Sequence, residues 1–319
     1  MKMEPNYLPL NKRVPDTQYK NRLRMIKETG VFTKSRFQTD GTYTSLTVPP
    51  MEFDLCNGFP ILTERKIGFW RKPISELFAF INGVRDARIL AEDWGVDWWQ
   101  KSWATPEKCA QFGLEPYDMG PGSYGPAFAS FPHFDWQNIL GYPDGGKWIP
   151  KPFNQIVNLI KQIKKYPEIR THKVSTWIPQ YCLQHEEMVR KVVVAPCHGD
   201  IQITILNDKL NLRMDQRSAD FPIGVPSNMI QYAALMLAIC NITGHEPGLF
   251  IHAPHDCQIY ERHMGEVDEI INRTSFPFPS MHLTEEGKRI KNILDFRSTH
   301  FDLKDYKYHP AMKLADAVV

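Results

Sequence analysis

The sequence predicts an α+β fold, a large and mostly antiparallel β-sheet covered by helices. Three observations predict it. Extended segments outnumber those that a regular βαβ alternation would supply. Two of them, Asp200 to Leu206 (DIQITIL) and Lys209 to Arg217 (KLNLRMDQR), flank Asn207-Asp208, a pair suited to a tight antiparallel turn. The composition is that of a globular protein: 319 residues, 42% hydrophobic and 23% charged, enough for a core without disulfide staples. A formal net charge of +2 excludes a strong global attraction to nucleic acid or to a membrane surface, while leaving room for a local basic site.

Residues 1–20 are polar and contain prolines, which predicts an arm; residues 21–319 show no repeat or low-complexity linker, which predicts one domain. The N-terminus lacks an apolar export core, and no apolar run approaches ~18 residues, so a cytoplasmic protein without a membrane span is expected. Residues 43–55 (YTSLTVPPMEFDL) read as extended chain. Pro73 followed by ISELFAFING reads as a helix that starts near the proline and stops at Gly83. Residues 84–126 carry four tryptophans and Gly-Pro-Gly turns, which predicts a long irregular, functional segment. In 153–165 (FNQIVNLIKQIKK), Ile156, Ile160 and Ile163 share one helical face. His172 to Trp177 alternates as a strand, 228–242 is a strongly apolar buried helix, Gly248 to His252 is a strand, and 257–272 reads as an amphipathic helix. The six cysteines are scattered, with no CxxC pair, so neither a disulfide framework nor a zinc site, nor any other metal, is expected.

The polar cluster richest in chemistry lies in an apolar neighbourhood, from 192 to 228. Cys197 follows three valines and Ala-Pro and precedes His198, so a strand end presents a thiol at a turn; a nearby cation would favour its thiolate. The bland alternative is a buried small hydrophobe. Twenty residues on comes Gln216-Arg217-Ser218-Ala219-Asp220. A guanidinium beside a hydroxyl suits a phosphate, though Arg217 could instead pair with Asp220 at the surface. Asn228, after Gly224-Val225-Pro226-Ser227, either caps the apolar helix or reads a donor–acceptor pair on a heterocycle.

The string PCH…QRSAD…GVPSN…YA resembles the core of the thymidylate synthase superfamily. Matching blocks run from about residue 20 to the C-terminus: NGFPILTERKI (57–67), SELFAFING (75–83), VDWWQKSW (96–103), GPGSYG (120–125), HDCQIY (255–260) and YHPAMK (308–313). The resemblance implies a thymidylate synthase-like fold and a homodimer that uses a sheet face as its interface. Its substrates would be a pyrimidine nucleotide 5′-monophosphate and 5,10-methylenetetrahydrofolate, with no nucleic-acid or membrane partner. Cys197 resembles the nucleophile that adds to C6 of the pyrimidine. Arg217 and Ser218, beside Gln216, resemble phosphate ligands, and Arg170 an arginine lent to the phosphate by the second subunit. Glu76 resembles the glutamate that organises water and proton transfer, Tyr124 a proton-network tyrosine, and Asn228 the base-reading amide. Asp220 resembles the pterin-binding aspartate, with Ile223, Gly224 and Ser227 on the folate side. Tyr260 resembles the sugar-hydroxyl ligand, while Gln202 and His198 take support roles. Either Trp98 or Trp99 resembles the indole that covers the reacting methylene.

Four departures accompany these matches. Thr171 follows Arg170 where the family has a second arginine, and Ser227 stands in place of a phenylalanine. Gln258 stands in place of a histidine beside the sugar and base, and the loop SRFQTDGTYT is altered around Arg36, a weaker match to a phosphate arginine. Ser227 and Gln258 suggest a wetter pocket, where water adds to the one-carbon unit. The expectation is therefore a nucleotide 5-hydroxymethylase, with dUMP favoured by Asn228 and dCMP or CMP as alternatives. The Trp98/Trp99 pair speaks for the other outcome, a methylating synthase that makes dTMP and releases dihydrofolate. A catalytically inactive nucleotide-binding homologue is the alternative from another class.

Overall fold

The computed structural model describes residues 5–34, 40–138 and 146–314. Helix α1 (Gln18–Thr29) leads into strands β1 (Val31–Lys34), β2 (Gly41–Ser45) and β3 (Met51–Asp54). Helices α2 (Arg71–Ile81), α3 (Ala87–Glu92), α4 (Pro106–Ala110) and α5 (Tyr124–Ala129) follow, with a π-helical turn, Trp99–Trp103, before α4. Next come β4 (Phe134–Asn138), β5 (Gly146–Pro150), α6 (Gln155–Lys165), β6 (Lys173–Val174), α7 (Pro179–Cys182), β7 (Asp200–Leu206), β8 (Lys209–Gln216) and β9 (Ala219–Asp220). The chain continues through α8 (Gly224–Thr243), β10 (Glu246–Pro254), β11 (Cys257–Tyr260), α9 (Met264–Asn272), β12 (Ser280–Leu283), α10 (Glu285–Arg289) and β13 (Phe301–Lys304).

The expected α+β architecture is present, but the extended segments divide into several sheets. One has the order β3-β10-β8-β7-β6 and another β1-β2-β11-β9, while β4-β5 and β12-β13 form two-stranded pairs. The two larger sheets are antiparallel except where β10 lies parallel to β8 and β11 parallel to β9. Asp256 is the reason that β10 and β11 part: its φ of 42° turns the chain sharply after Pro254, and a short polar side chain tolerates that region best. The predicted turn at Asn207-Asp208 joins β7 to β8, with φ of 49° and 63°, the double positive φ of a tight hairpin turn.

Alternation in the hairpin decides which face is covered. Ile201, Ile203, Leu210, Leu212 and Met214 point into the core, while Gln202, Thr204, Arg213 and Asp215 point out. Helix α8 packs behind β8 and β10, and every residue from Met229 to Ile242 is buried. It begins at Gly224, a turn earlier than its apolar run, and stops at Gly244, whose left-handed φ of 86° a glycine accepts without strain. Helix α2 likewise ends before Gly83, as its sequence predicts. All six cysteines are free.

Three local expectations need correction. Residues 84–126 are not irregular: α3, the π-turn, α4 and the start of α5 occupy them, because capped short helices (Asp86 and Thr105 as N-caps) break the hydrophobic period. Only Lys173–Val174 of the 172–177 segment is strand, since Thr176 already donates its N–H to the Asp200 carboxylate instead of the ladder. Within 257–272, Cys257–Tyr260 is a strand paired with β2, and the helix starts at Met264. Buried Cys257 and Ile259 alternate with period two there, a pattern too short to separate from a helix start.

Candidate functional site

Cys197 sits half-buried in the turn that enters β7. The turn depends on Gly199, whose φ is 105°; a Cβ there would lie 2.6 Å from Thr176 Cγ2 and 3.2 Å from Phe128 Cζ. The Cys197 N–H donates to the Tyr124 hydroxyl at 2.7 Å, and the Cys197 carbonyl accepts from the Arg217 backbone N–H at 2.8 Å. The Arg217 guanidinium donates to the carbonyls of Pro196 (2.7 Å) and Ala195 (2.9 Å) and lies 3.5 Å from the Cys197 sulfur, over the Trp177 ring. Arg217 is thus tied to the nucleophile segment instead of to Asp220. Burial pushes the Cys197 thiol up, and the Arg217 charge only partly offsets this. Arg217 is the cation that the sequence places beside the thiol, and it pulls toward the thiolate against the stronger effect of burial.

His198 supplies no such cation. Its ring stacks on Tyr124 at 4.5 Å and shares a 2.6 Å hydrogen bond with the Tyr232 hydroxyl. Burial pushes its pKa down to about 3, so the imidazole is neutral and its role is support.

Glu76 is buried on α2 and is the centre of a second cluster. Its Oε1 accepts from the indole N–H of both Trp98 (2.6 Å) and Trp99 (2.5 Å), and its Oε2 from the Gln231 amide (2.7 Å). Gln231 Oε1 accepts in turn from the Asn228 amide at 2.9 Å. A carboxylate can only accept, so it orients Gln231, which orients Asn228 and leaves the Asn228 carbonyl oxygen outside the chain of bonds. Burial raises Glu76 to about 7 against the pull of three donors. Trp99 is buried and packs against Phe80, Trp103 and Tyr124, while Trp98 is only partly buried. Tyr124 and Trp99 share this contact, which joins the glutamate cluster to the cysteine cluster.

Asp220 ends β9, with Ile223 and Gly224 opening α8 beside it. One oxygen accepts from the Ile223 N–H at 3.2 Å; Oδ2 is buried without a hydrogen-bond partner, and burial raises the group to about 7. Such an orphaned acceptor fits the N–H edge of a heterocycle like a pterin. Half-buried Ser227 lies on the same first turn of α8. Ser218 Oγ accepts from Gln258 Nε2 at 3.3 Å, and Gln258 also donates to Asp256 at 2.8 Å. Gln216 donates to the Ser218 carbonyl at 3.0 Å and accepts from buried His252 at 2.7 Å. Tyr260 is buried at the end of β11, where burial and the nearby Asp220 raise its hydroxyl.

Two expected residues are not brought to this cluster by the chain itself. Gln202 points outward on β7, because its neighbours Ile201 and Ile203 take the inward positions. Arg170 is exposed in the loop between α6 and β6. Arg36 lies outside the described residues. Tyr232 belongs to the YA of the matching string but carries no role there, and Gln231 goes unremarked; its trace is a glutamine inside an otherwise apolar helix, three residues after Asn228 and so on its face.

Across the chain, the family model described as thymidylate synthase matches residues 17–318.

Proposed function

The chain belongs to the thymidylate synthase family, and from that premise we propose that it is a pyrimidine nucleotide 5-hydroxymethylase acting on dUMP. The family transfers a one-carbon unit from methylenetetrahydrofolate to a pyrimidine nucleotide. In the proposed sequence the Cys197 sulfur bonds to C6 as its proton leaves, and the electron pair moves toward C5 and the C4 oxygen. C5 takes the one-carbon unit and loses its hydrogen. Tetrahydrofolate leaves without being oxidised, which turns the carbon into an exocyclic methylene; water adds to it and gives up a proton, and the electron pair returned to C5 then expels the Cys197 sulfur from C6. Arg217 and Ser218 hold the phosphate, Tyr260 and Gln258 the sugar, Asn228 the base, and Asp220 the pterin.

The observation that carries the hydroxymethyl outcome is half-buried Ser227, a small hydroxyl on the first turn of α8 next to Asn228 that leaves room for water there. Buried Glu76, held by three donors, is the group able to take a proton from water in either outcome. Methylation is the second reading. It is favoured by the two indoles at Glu76, which would exclude water if Trp98 covered the reacting carbon. Exposed Arg170 and the uncovered outward face of β7 and β8 suit a homodimer in which Arg170 reaches the partner's phosphate.

The test is product identification with methylenetetrahydrofolate and, separately, dUMP, dCMP, UMP and CMP. A hydroxymethyl product from dUMP without dihydrofolate absorbance is expected. A methyl product with stoichiometric dihydrofolate would overturn the hydroxymethylase reading.

Base choice has its own test. The Asn228 N–H bonded to Gln231 leaves its carbonyl oxygen for N3–H and its second N–H for O4 of a uracil. Asn228→Asp sets a carboxylate oxygen against Gln231 Oε1, and such a mismatch costs about 1–3 kcal/mol. Turnover of dUMP is expected to fall roughly 10- to 100-fold, with relative gain for dCMP. Unchanged discrimination between the two would remove Asn228 from base reading.

A further inference from the structure

Arg190 lies between α7 and the nucleophile turn, and nothing so far gives it a role. Its guanidinium stacks 4.4 Å from the Phe112 ring centre and donates to the Val193 carbonyl at 3.1 Å. Its Nε is buried with no acceptor. Arg217 grips the Ala195 carbonyl at 2.9 Å. The two guanidinium groups are therefore tethered to carbonyls two residues apart, a chain span of at most ~7 Å, in the segment that ends at Cys197.

Among the described residues, neither Arg190 nor Arg217 forms an ion pair with a carboxylate. Their charges meet: burial lowers the Arg190 pKa and the Arg217 charge adds to it, while both arginines pull the Cys182 and Cys197 thiols down against burial. A half-buried guanidinium (Arg190) beside an exposed one (Arg217), with no counter-charge, is unfavourable until an anion joins them. A phosphate matches that need in charge and in the planar fork geometry of two guanidinium groups. Ser218 adds to the same preference, since its oxygen accepts from Gln258 and its own proton is left to donate.

We propose that Arg190 is a second phosphate-binding cation, and that with Arg217 it forms a two-arginine clamp built from one chain. The proposal rests on the nucleotide reading above for the identity of the anion's carrier. It also supplies a cation in a chain where Thr171 stands after Arg170.

Arg190→Gln and Arg190→Lys in the full chain test it. Glutamine keeps a donor for the Val193 carbonyl and loses the charge; lysine keeps the charge and loses the fork. With dUMP, Arg190→Gln is expected to raise KM about 10-fold or more with kcat changed less than about 3-fold, and lysine to recover most of the loss. Inhibition by deoxyuridine, which lacks the phosphate, is expected to be unchanged. Protection of Cys197 from iodoacetamide by inorganic phosphate reads the same site without turnover, and the half-protecting concentration is expected to rise about 10-fold in Arg190→Gln. If phosphate protects both proteins equally, or deoxyuridine binding weakens in parallel with a lowered Tm, Arg190 is structural and the proposal falls. If the wild type turns over no pyrimidine nucleotide while phosphate protection still depends on Arg190, the clamp stands and the nucleotide reading fails.

Discussion

Cys197→Ala is expected to abolish C5 hydrogen exchange and to lower turnover at least about 10³-fold, because removal of a covalent nucleophile leaves only binding and electrostatic assistance. The structure makes this substitution a clean one. The turn around Cys197 is held through its backbone: Tyr124 accepts from the Cys197 N–H, and Arg217 bonds the carbonyls of residues 195, 196 and 197. Alanine disturbs none of these bonds. The sulfur itself contributes only a 3.5 Å contact with the Ala195 carbonyl and another with Arg217, so Tm is expected to hold within a few degrees. Cys197→Ser keeps a hydroxyl at the same place, but it is a far weaker nucleophile, and the same loss is expected. Release of the C5 hydrogen from labelled dUMP and the intact mass of a nucleotide adduct are the two readouts. Wild-type exchange by the alanine variant would assign the nucleophile elsewhere. The raised thiol pKa adds a pH expectation: kcat/KM should climb on the alkaline side, where the thiolate fraction grows.

The elements most legible in the sequence were those whose period agrees with their packing. The 155–165 helix, the β7–β8 hairpin and the apolar core helix fall where the residues predict. The helices of the 84–126 segment are illegible in the sequence because they are too short to show a period and are defined instead by caps. The site divides in the same way. Cys197, Arg217, Glu76, Asp220 and Asn228 are chemically conspicuous, and the fold gathers them. Gln202 illustrates the opposite case, since strand alternation sends it outward whatever motif it belongs to. Gln231 was hidden for another reason. Its importance lies in linking Glu76 to Asn228, 155 residues and three residues away along the chain, a relation that no local pattern carries.

That link makes Glu76→Gln the more revealing substitution. The carboxylate accepts from two indoles on one oxygen and from Gln231 on the other. A carboxamide must turn its NH₂ toward one of these sides, where it meets only donors, at a cost of about 1–3 kcal/mol. If it faces Gln231, that amide must invert to present its oxygen. Asn228 must then invert too, and the polarity offered to the base is exchanged. Turnover of dUMP is expected to fall about 10²- to 10³-fold from loss of the proton acceptor, with a rise in KM from the altered base contact. The pH–rate limb near 7 should vanish with it. Stability should respond in the opposite direction to activity. Folding raises Glu76 from 4.5 to about 7, so the folded protein holds that proton more tightly than the unfolded chain. The resulting stabilisation, about 3 kcal/mol, is full below pH 4.5 and is lost as pH rises through about 7. Glutamine has no such proton. Relative to wild type, the stability deficit of Glu76→Gln should therefore be larger at pH 5 than at pH 8, shrinking as pH rises through about 7 to the mismatch cost alone. A stability difference independent of pH, or a pH–rate limb that survives the substitution, would mean that the titrating group belongs to another residue. Asp220, raised to about 7 by its own burial, is then the group to test next.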